Sequence, residues 1–225
     1  MLLLNGCSYG LSWGTELNLF SQSLGFDKAV NLSKTGSSND RIIRTTFEYL
    51  EKNLVEFIVL SLTFWDRQEA PWKSYEDYES VWSRYSSIGI SNFNDIVEKS
   101  EIDIYNKYIK ERYLYDISTA YIEKLLLDLI FFTAWLDLYH YKYLIYVAPG
   151  FDKDEIPVYA NSKFNILKKN NRLIDLENFS SNEYLGNNGG TSLDKVDFKM
   201  KHYDQKSHRI LGNFLKEYIH NNNLL

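Results

Sequence analysis

The fold turns on the opening stretch Leu2-Leu3-Leu4-Asn5-Gly6-Cys7-Ser8-Tyr9-Gly10. Three consecutive leucines with no polar interruption suit a short strand covered on both faces, as in the centre of a parallel sheet. Asn5-Gly6 ends that run, and a helix is expected from roughly Thr15 to Leu24, so Ser8 falls where strand becomes helix. A serine at such a turn has an exposed hydroxyl, and the adjacent backbone N–H groups point where an oxyanion would form. Gly6 and Gly10 give the backbone room for the turn. Cys7, as the last strand residue, should point away from Ser8 and serve as a small buried hydrophobe. The same pattern also fits an ordinary turn serine, so its partners decide.

Further along, Lys28 to Leu32 reads as a second short strand. Ser37-Ser38-Asn39-Asp40 has the form of a capping box ahead of an amphipathic helix bearing Ile42, Ile43, Phe47 and Leu50. Leu54 to Leu62 is a continuous apolar run of the central-strand kind. Ile117 to Leu138 is expected as a long helix and Tyr141 to Val147 as a fourth strand, ended by Ala148-Pro149-Gly150. Phe151 to Asn171 is polar and irregular, Arg172 to Leu176 is a candidate fifth strand, and Asn187-Asn188-Gly189-Gly190 is a loop. Asp204 is a plausible N-cap for a final helix in which Ile210, Leu211, Phe214, Leu215, Tyr218 and Ile219 recur at helical spacing.

Strands alternating with helices predict an α/β fold: three layers, α/β/α, around a mostly parallel flavodoxin-like sheet of about five strands. Ligands of such sheets bind outside the carboxyl ends of the strands. That rule singles out Ser8, the Gly36 to Asn39 loop, Thr63 to Arg67 and the loop before the final helix.

The chain has 225 residues, 44% hydrophobic and 24% charged, a balance that suits one folded core and excludes disorder as the main state. We expect a single domain over 1–225, with an insertion or cap at 65–116 where the alternation breaks. Aromatic residues make up 16% of the chain, and the insertion gathers Trp72, Tyr75, Tyr78, Trp82 and Tyr85. Their rings suit either the insertion's own small core or a subunit contact, with a sugar-stacking platform or lid as the other reading.

The net charge of −5 and the pI near 5.5 argue against a surface built to wrap nucleic acid. A lone cysteine cannot form an internal disulfide, which points to a cytoplasmic setting. The N-terminus lacks the charged and apolar regions of a signal peptide. The longest apolar stretch, Leu125 to Leu136, is interrupted by Asp128 and is too short for a membrane span, so no membrane association is expected.

A serine nucleophile needs a base, and there are four histidines: His140, His202, His208 and His220. His140 sits at a helix–strand junction and His220 near the C-terminus. His202 and His208 flank the start of the final helix, on the loop that returns to the carboxyl edge of the sheet. They lack a convincing third ligand, so no metal site is expected, and no cofactor is implied.

Together these stretches carry a resemblance. Gly6-Cys7-Ser8-Tyr9-Gly10 after the first strand resembles the first motif of the SGNH (GDSL-like) hydrolase superfamily, with Cys7 where Asp is usual. Asn31-Leu32 through Gly36 resembles the second motif, and Lys199-Met200-Lys201-His202 before the last helix resembles the final one. With Thr-Gly-Ser-Ser-Asn-Asp-Arg-Ile-Ile-Arg-Thr-Thr at 35–46, the chain is similar to divergent bacterial and tailed-phage members of that superfamily. The resemblance implies Ser8 as nucleophile, His202 as base, and the N–H groups of Ser8 and Gly36 in the oxyanion hole. It covers the chain apart from the aromatic insertion.

Three positions depart from the superfamily's pattern. Thr63-Phe64-Trp65-Asp66 stands for Gly-x-Asn-Asp, with Trp65 where the donor Asn belongs, so Asn39 or Thr63 is the alternative donor. Lys199 takes the place of the motif Asp, leaving Asp197 or Asp194 to orient His202. Tyr203 replaces the usual Pro, and His208 sits where the family often has Tyr or His. Thr63, Trp65, Asp66, Arg67 and His208 are expected on the substrate side; Asp66-Arg67 binds an anionic group or forms a loop-pinning ion pair. The function implied is an SGNH-type serine esterase or acylhydrolase acting on a carbohydrate or small-molecule acyl ester. An acyltransferase on the same site, or a non-catalytic module that binds a glycan or protein, is the alternative.

Overall fold

The aliphatic runs at the start of the chain and at 57–62 lie side by side in the computed structural model, which describes residues 1–11, 13–34, 37–63, 68–71, 82–85, 118–148, 160–176, 178–190 and 203–225. Strand β1 (Leu2–Gly6) pairs in parallel with β2 (Ala29–Asn31) on one side and β3 (Phe57–Leu62) on the other. Strand β6 (Tyr143–Val147) then pairs in parallel with β3, giving the order β2-β1-β3-β6. Beyond β6, Leu173 forms a single parallel bridge with Ile145, so the expected fifth strand is reduced to one contact. The Ile145 N–H donates to the Arg172 carbonyl and the Ile174 N–H to the Ile145 carbonyl, each at 2.9 Å, which holds that segment at the sheet edge.

Alternation along the strands builds a core on each face. Leu2, Leu4, Phe57, Val59, Leu144 and Tyr146 face helices α2 (Gly14–Ser23) and α7 (Gln205–Asn221), which contribute Leu17, Phe20, Leu211, Leu215 and Ile219. Leu3, Ile58, Leu60, Leu62, Tyr143, Ile145 and Val147 face the other way, toward α3 (Asn39–Leu50), α4 (Ser118–Leu138) and α5 (Asn161–Leu167). The result is the expected three-layer α/β/α arrangement. Cys7 is wholly buried in the first of these cores, as anticipated.

Two short helices lie where no element was expected from the sequence, the first inside the irregular stretch Phe151 to Asn171. Helix α5 is held by buried Phe164 and Leu167. Helix α6 (Ser181–Asn187) is capped by Ser180, whose hydroxyl accepts from the Glu183 N–H. Within 65–116, β4 (Gln68–Pro71) and β5 (Trp82–Tyr85) form an antiparallel pair. Trp72, Tyr75 and Tyr78 lie outside the described residues. Among the described residues no helix is long and apolar enough to cross a membrane.

Candidate active site

The connection from β2 back to β3 crosses over β1, so the order of strands reverses beside β1 and β3. A crevice opens at the carboxyl ends of such a pair. Gly6 is in register with Ser61, which brings the ends of the two strands together. A Cβ on Gly6 would lie 2.8 Å from the Ser61 Cβ, so only glycine allows this approach. Ser8 follows directly as the first residue of α1 (Ser8–Leu11) and is buried. The Gly10 and Leu11 N–H groups both donate to the Cys7 carbonyl, at 3.0 and 3.1 Å, so the turn closes immediately around the serine.

Three asparagine carboxamides hold the loops of this edge. The Asn5 Nδ2 lies 3.0 Å from the Ile42 carbonyl and 2.9 Å from the hydroxyls of Thr45 and Thr46, tying β1 to α3. The Asn31 Nδ2 donates to the Gly10 carbonyl at 2.9 Å, while its Oδ1 accepts from the Ser33 N–H at 2.9 Å. The Asn39 Oδ1 accepts from the Thr63 N–H at 2.9 Å and its Nδ2 donates to the Thr63 carbonyl at 3.2 Å. The carboxamide of Asn39, expected as an oxyanion donor, is therefore engaged with the backbone at the end of β3. Thr63 is wholly buried, and its hydroxyl makes no hydrogen bond among the described residues. Asn5 and Asn31 as loop anchors are not evident from the sequence, because an asparagine at a strand end reads simply as a strand stop.

The start of α3 is shaped by buried polar groups. Ser38 caps it by accepting from the Arg41 N–H at 3.1 Å, one residue beyond the Ser37 at which the capping-box pattern begins. The Arg41 Nη1 donates to the Leu32 carbonyl at 3.3 Å and to the Ser37 hydroxyl at 3.2 Å, bracing the loop between β2 and α3.

On the opposite side, Asp204 caps α7 by accepting from the Ser207 N–H at 2.8 Å. Tyr203, just ahead of it, is buried. Its hydroxyl donates to the Asn182 Oδ1 and lies 2.8 Å from the Ser181 hydroxyl. Burial pushes its ionisation well above the ordinary tyrosine range. The Tyr203 ring meets that of Tyr9 at 5.1 Å and that of His208 edge-on at 5.5 Å. His208, expected on the substrate side, is wholly buried, with Trp13 on its other flank at 5.1 Å. It is a core residue here, because α7 turns its first buried face inward against these rings. Beside it, Glu16 accepts from the Arg209 Nη2 at 2.8 Å and Nε at 3.3 Å, joining α2 to α7. The Arg209 guanidinium holds the Glu16 carboxyl below its ordinary value, against the opposing effect of burial.

Of the expected site residues, Ser8, Asn39 and Thr63 gather at the carboxyl edge. Gly36, Trp65, Asp66, Arg67, Asp194, Asp197, Lys199 and His202 lie outside the described residues. No group of three or more His, Cys, Asp or Glu assembles as metal ligands among the described residues.

No protein-family model and no curated protein matches the sequence. Solved structures do match it across nearly the whole chain. An esterase, EstA, from a psychrotrophic Pseudoalteromonas species shares 11% identity over 98% of this chain and 96% of its own, with a TM-score of 0.52. The acetyl xylan esterase AlAXEase shares 13% identity over 97% of this chain and all of its own, with a TM-score of 0.50. A candidate acylhydrolase from Bacteroides fragilis shares 10% identity over all of this chain and 88% of its own, also with a TM-score of 0.50. The fold is that of esterases and acylhydrolases. At these identities the likeness is one of architecture, and the chemistry rests on the residues at the carboxyl edge.

Proposed function

We propose that the chain is a serine ester hydrolase of the SGNH type, with Ser8 as nucleophile and His202 as general base. The observation that carries this reading is the ring contact between Tyr9 and Tyr203. Tyr9 follows Ser8, Tyr203 follows His202, and neighbouring Cα atoms are about 3.8 Å apart. A 5.1 Å contact between the tyrosine rings supports the meeting of serine and histidine at one corner of the sheet. The Tyr203 anchor on α6 supports a fixed chain path just after the base.

In the reaction, the Ser8 Oγ attacks the acyl carbon while His202 takes its proton. The carbonyl oxygen gains negative charge, met by the N–H groups of Ser8 and Gly36. We assign the third donor to the Thr63 hydroxyl, which is buried and makes no hydrogen bond among the described residues. The tetrahedral intermediate expels the alcohol, which leaves with the proton from His202. Water then attacks the acyl-enzyme, His202 removes its proton, and Ser8 is released with the acid. Asp197 is the acid proposed to orient His202. The substrate proposed is an acyl ester of a carbohydrate or small molecule, consistent with an acetyl xylan esterase of the same fold.

The test is hydrolysis of short-chain p-nitrophenyl esters by the full chain and by Ser8→Ala and His202→Ala. Turnover should fall at least about a thousandfold in both variants, with folding intact. Turnover in Ser8→Ala equal to that of the parent chain contradicts the assignment.

A further inference from the structure

At the opposite edge of the sheet, where β6 begins, a second concave site is assembled from residues the ester chemistry does not use. It is an open depression of about 660 Å³ at the ends of α4 and α5 and the start of β6, lined among the described residues by His140, Lys142, Lys169 and Arg172 with Asp137 as the one acid. With His140 neutral the lining carries two positive charges in excess, on a chain whose net charge is −5. The five residues of β6 alone span about 16 Å, so this edge is well separated from the carboxyl edge that holds Ser8.

The site is built rather than a chance gathering of surface charge. Arg172 is held by an ion pair from its Nη1 to the Asp137 Oδ1 at 2.5 Å, and its guanidinium lies 5.1 Å from the centre of the Tyr143 ring. The Asn170 Nδ2 donates to the Tyr143 hydroxyl at 2.7 Å and its Oδ1 accepts from the Arg172 N–H at 3.0 Å. Asn170 thus fixes the turn that presents Lys169 and Arg172.

Cations often sit at helix C-termini to complement exposed carbonyls. Here backbone groups already serve that purpose. The Tyr141 N–H donates to the Leu136 carbonyl, the His140 N–H to Asp137, the Lys169 N–H to Ile166 and the Asn170 N–H to Leu167. Lys142 precedes a strand and caps no helix among the described residues. His140 adopts a left-handed conformation, φ 58°, at the end of α4, where glycine or asparagine is the low-cost choice. His140 lines the same depression.

We propose that this depression binds the phosphoryl group of a small phosphorylated molecule. Arg172 supplies a fixed planar set of N–H donors, Lys142 and Lys169 supply compact charges, and exposed Ile166 offers an apolar wall for the rest of the ligand. This site stands independently of the ester-hydrolase reading.

The test is calorimetric titration of the full chain with pyrophosphate at constant ionic strength. We expect saturable one-to-one binding with a Kd of about 0.1 to 1 mM. The Lys142→Gln/Lys169→Gln variant should weaken binding at least about tenfold, and Lys28→Gln/Lys52→Gln, with the same charge change on exposed lysines outside the lining of the depression, should leave it unchanged. Absence of saturable binding up to about 10 mM, or equal weakening in the two double variants, overturns the proposal.

Discussion

The strands of the central sheet change character along their length. The bodies of β1 and β3 are apolar and fully buried, from Leu2 to Leu4 and from Phe57 to Leu60. Where β1 and β3 end, the buried residues become Asn5, Ser8, Asn39, Ser61 and Thr63. Burying polar groups costs stability unless they are hydrogen-bonded, and an aliphatic edge would fold at least as well. The carboxamides at this edge fix loop positions to within a hydrogen bond, which apolar packing does less sharply. The bodies hold the fold, and the ends hold a geometry.

Substitutions in the two regions should therefore act on different quantities. The largest effect is expected in the body: Leu60→Ala leaves a void under α3 and α4 and should lower unfolding free energy by about 2 to 5 kcal/mol in a urea titration. Any ester-hydrolysis rate measured on the folded variant should stay close to that of the parent chain. Thr63→Val should do the reverse. Removing a buried hydroxyl that makes no hydrogen bond among the described residues leaves stability unchanged or improved. Loss of an oxyanion donor should lower turnover about a hundred- to a thousandfold. A Thr63→Val enzyme as fast as the parent chain removes Thr63 from the proposed oxyanion hole.

Asn39→Ala tests the join between the regions. It strands the buried Thr63 N–H and should cost about 1 to 3 kcal/mol. Turnover should also fall, because the end of β3 loses its clamp; a loss of stability with unchanged turnover makes Asn39 a scaffold residue only. The smallest effect belongs to the Glu16–Arg209 pair, which joins the N-terminal halves of α2 and α7. The Glu16 carboxyl is held below 4.5 by its Arg209 hydrogen bonds, so the stabilisation is present above pH 4.5 and is lost as pH falls through the lowered value. The melting temperatures of the parent chain and Arg209→Ala should accordingly differ at pH 6 and converge in more acid solution. A gap that stays constant with pH assigns Arg209 a packing role instead.

The sheet was legible in the sequence because its strands are short, predominantly apolar runs and its principal helices carry caps and periodic apolar faces. Asp204 caps the helix it was expected to cap, and a cap within the Ser37 to Asp40 signature, Ser38, starts α3. Helices α5 and α6 were not legible as elements. Each spans seven residues, too few for a helical period to emerge from polar surroundings. Ser180 with Glu183 was nevertheless a usable capping signal for α6. At the candidate site, the strand-to-helix turn marked Ser8. The roles of Asn5, Asn31 and Asn39 depend on partners 21 to 41 residues away in the chain, which spacing does not reveal. His208 shows the converse: its place before the last helix suggested a binding role, while the rings of Trp13 and Tyr203 make it part of the core.

The central claim is that the strand end at Ser8 carries a nucleophile rather than a turn serine. Its most direct test is fluorophosphonate labelling of the folded chain between about pH 6 and 9, where a histidine base gains and loses its proton, with the modified peptide located by mass spectrometry. The account predicts one adduct, on Ser8, absent from Ser8→Ala and strongly slowed in His202→Ala. No labelling anywhere in that range, or an adduct that persists in Ser8→Ala, contradicts it.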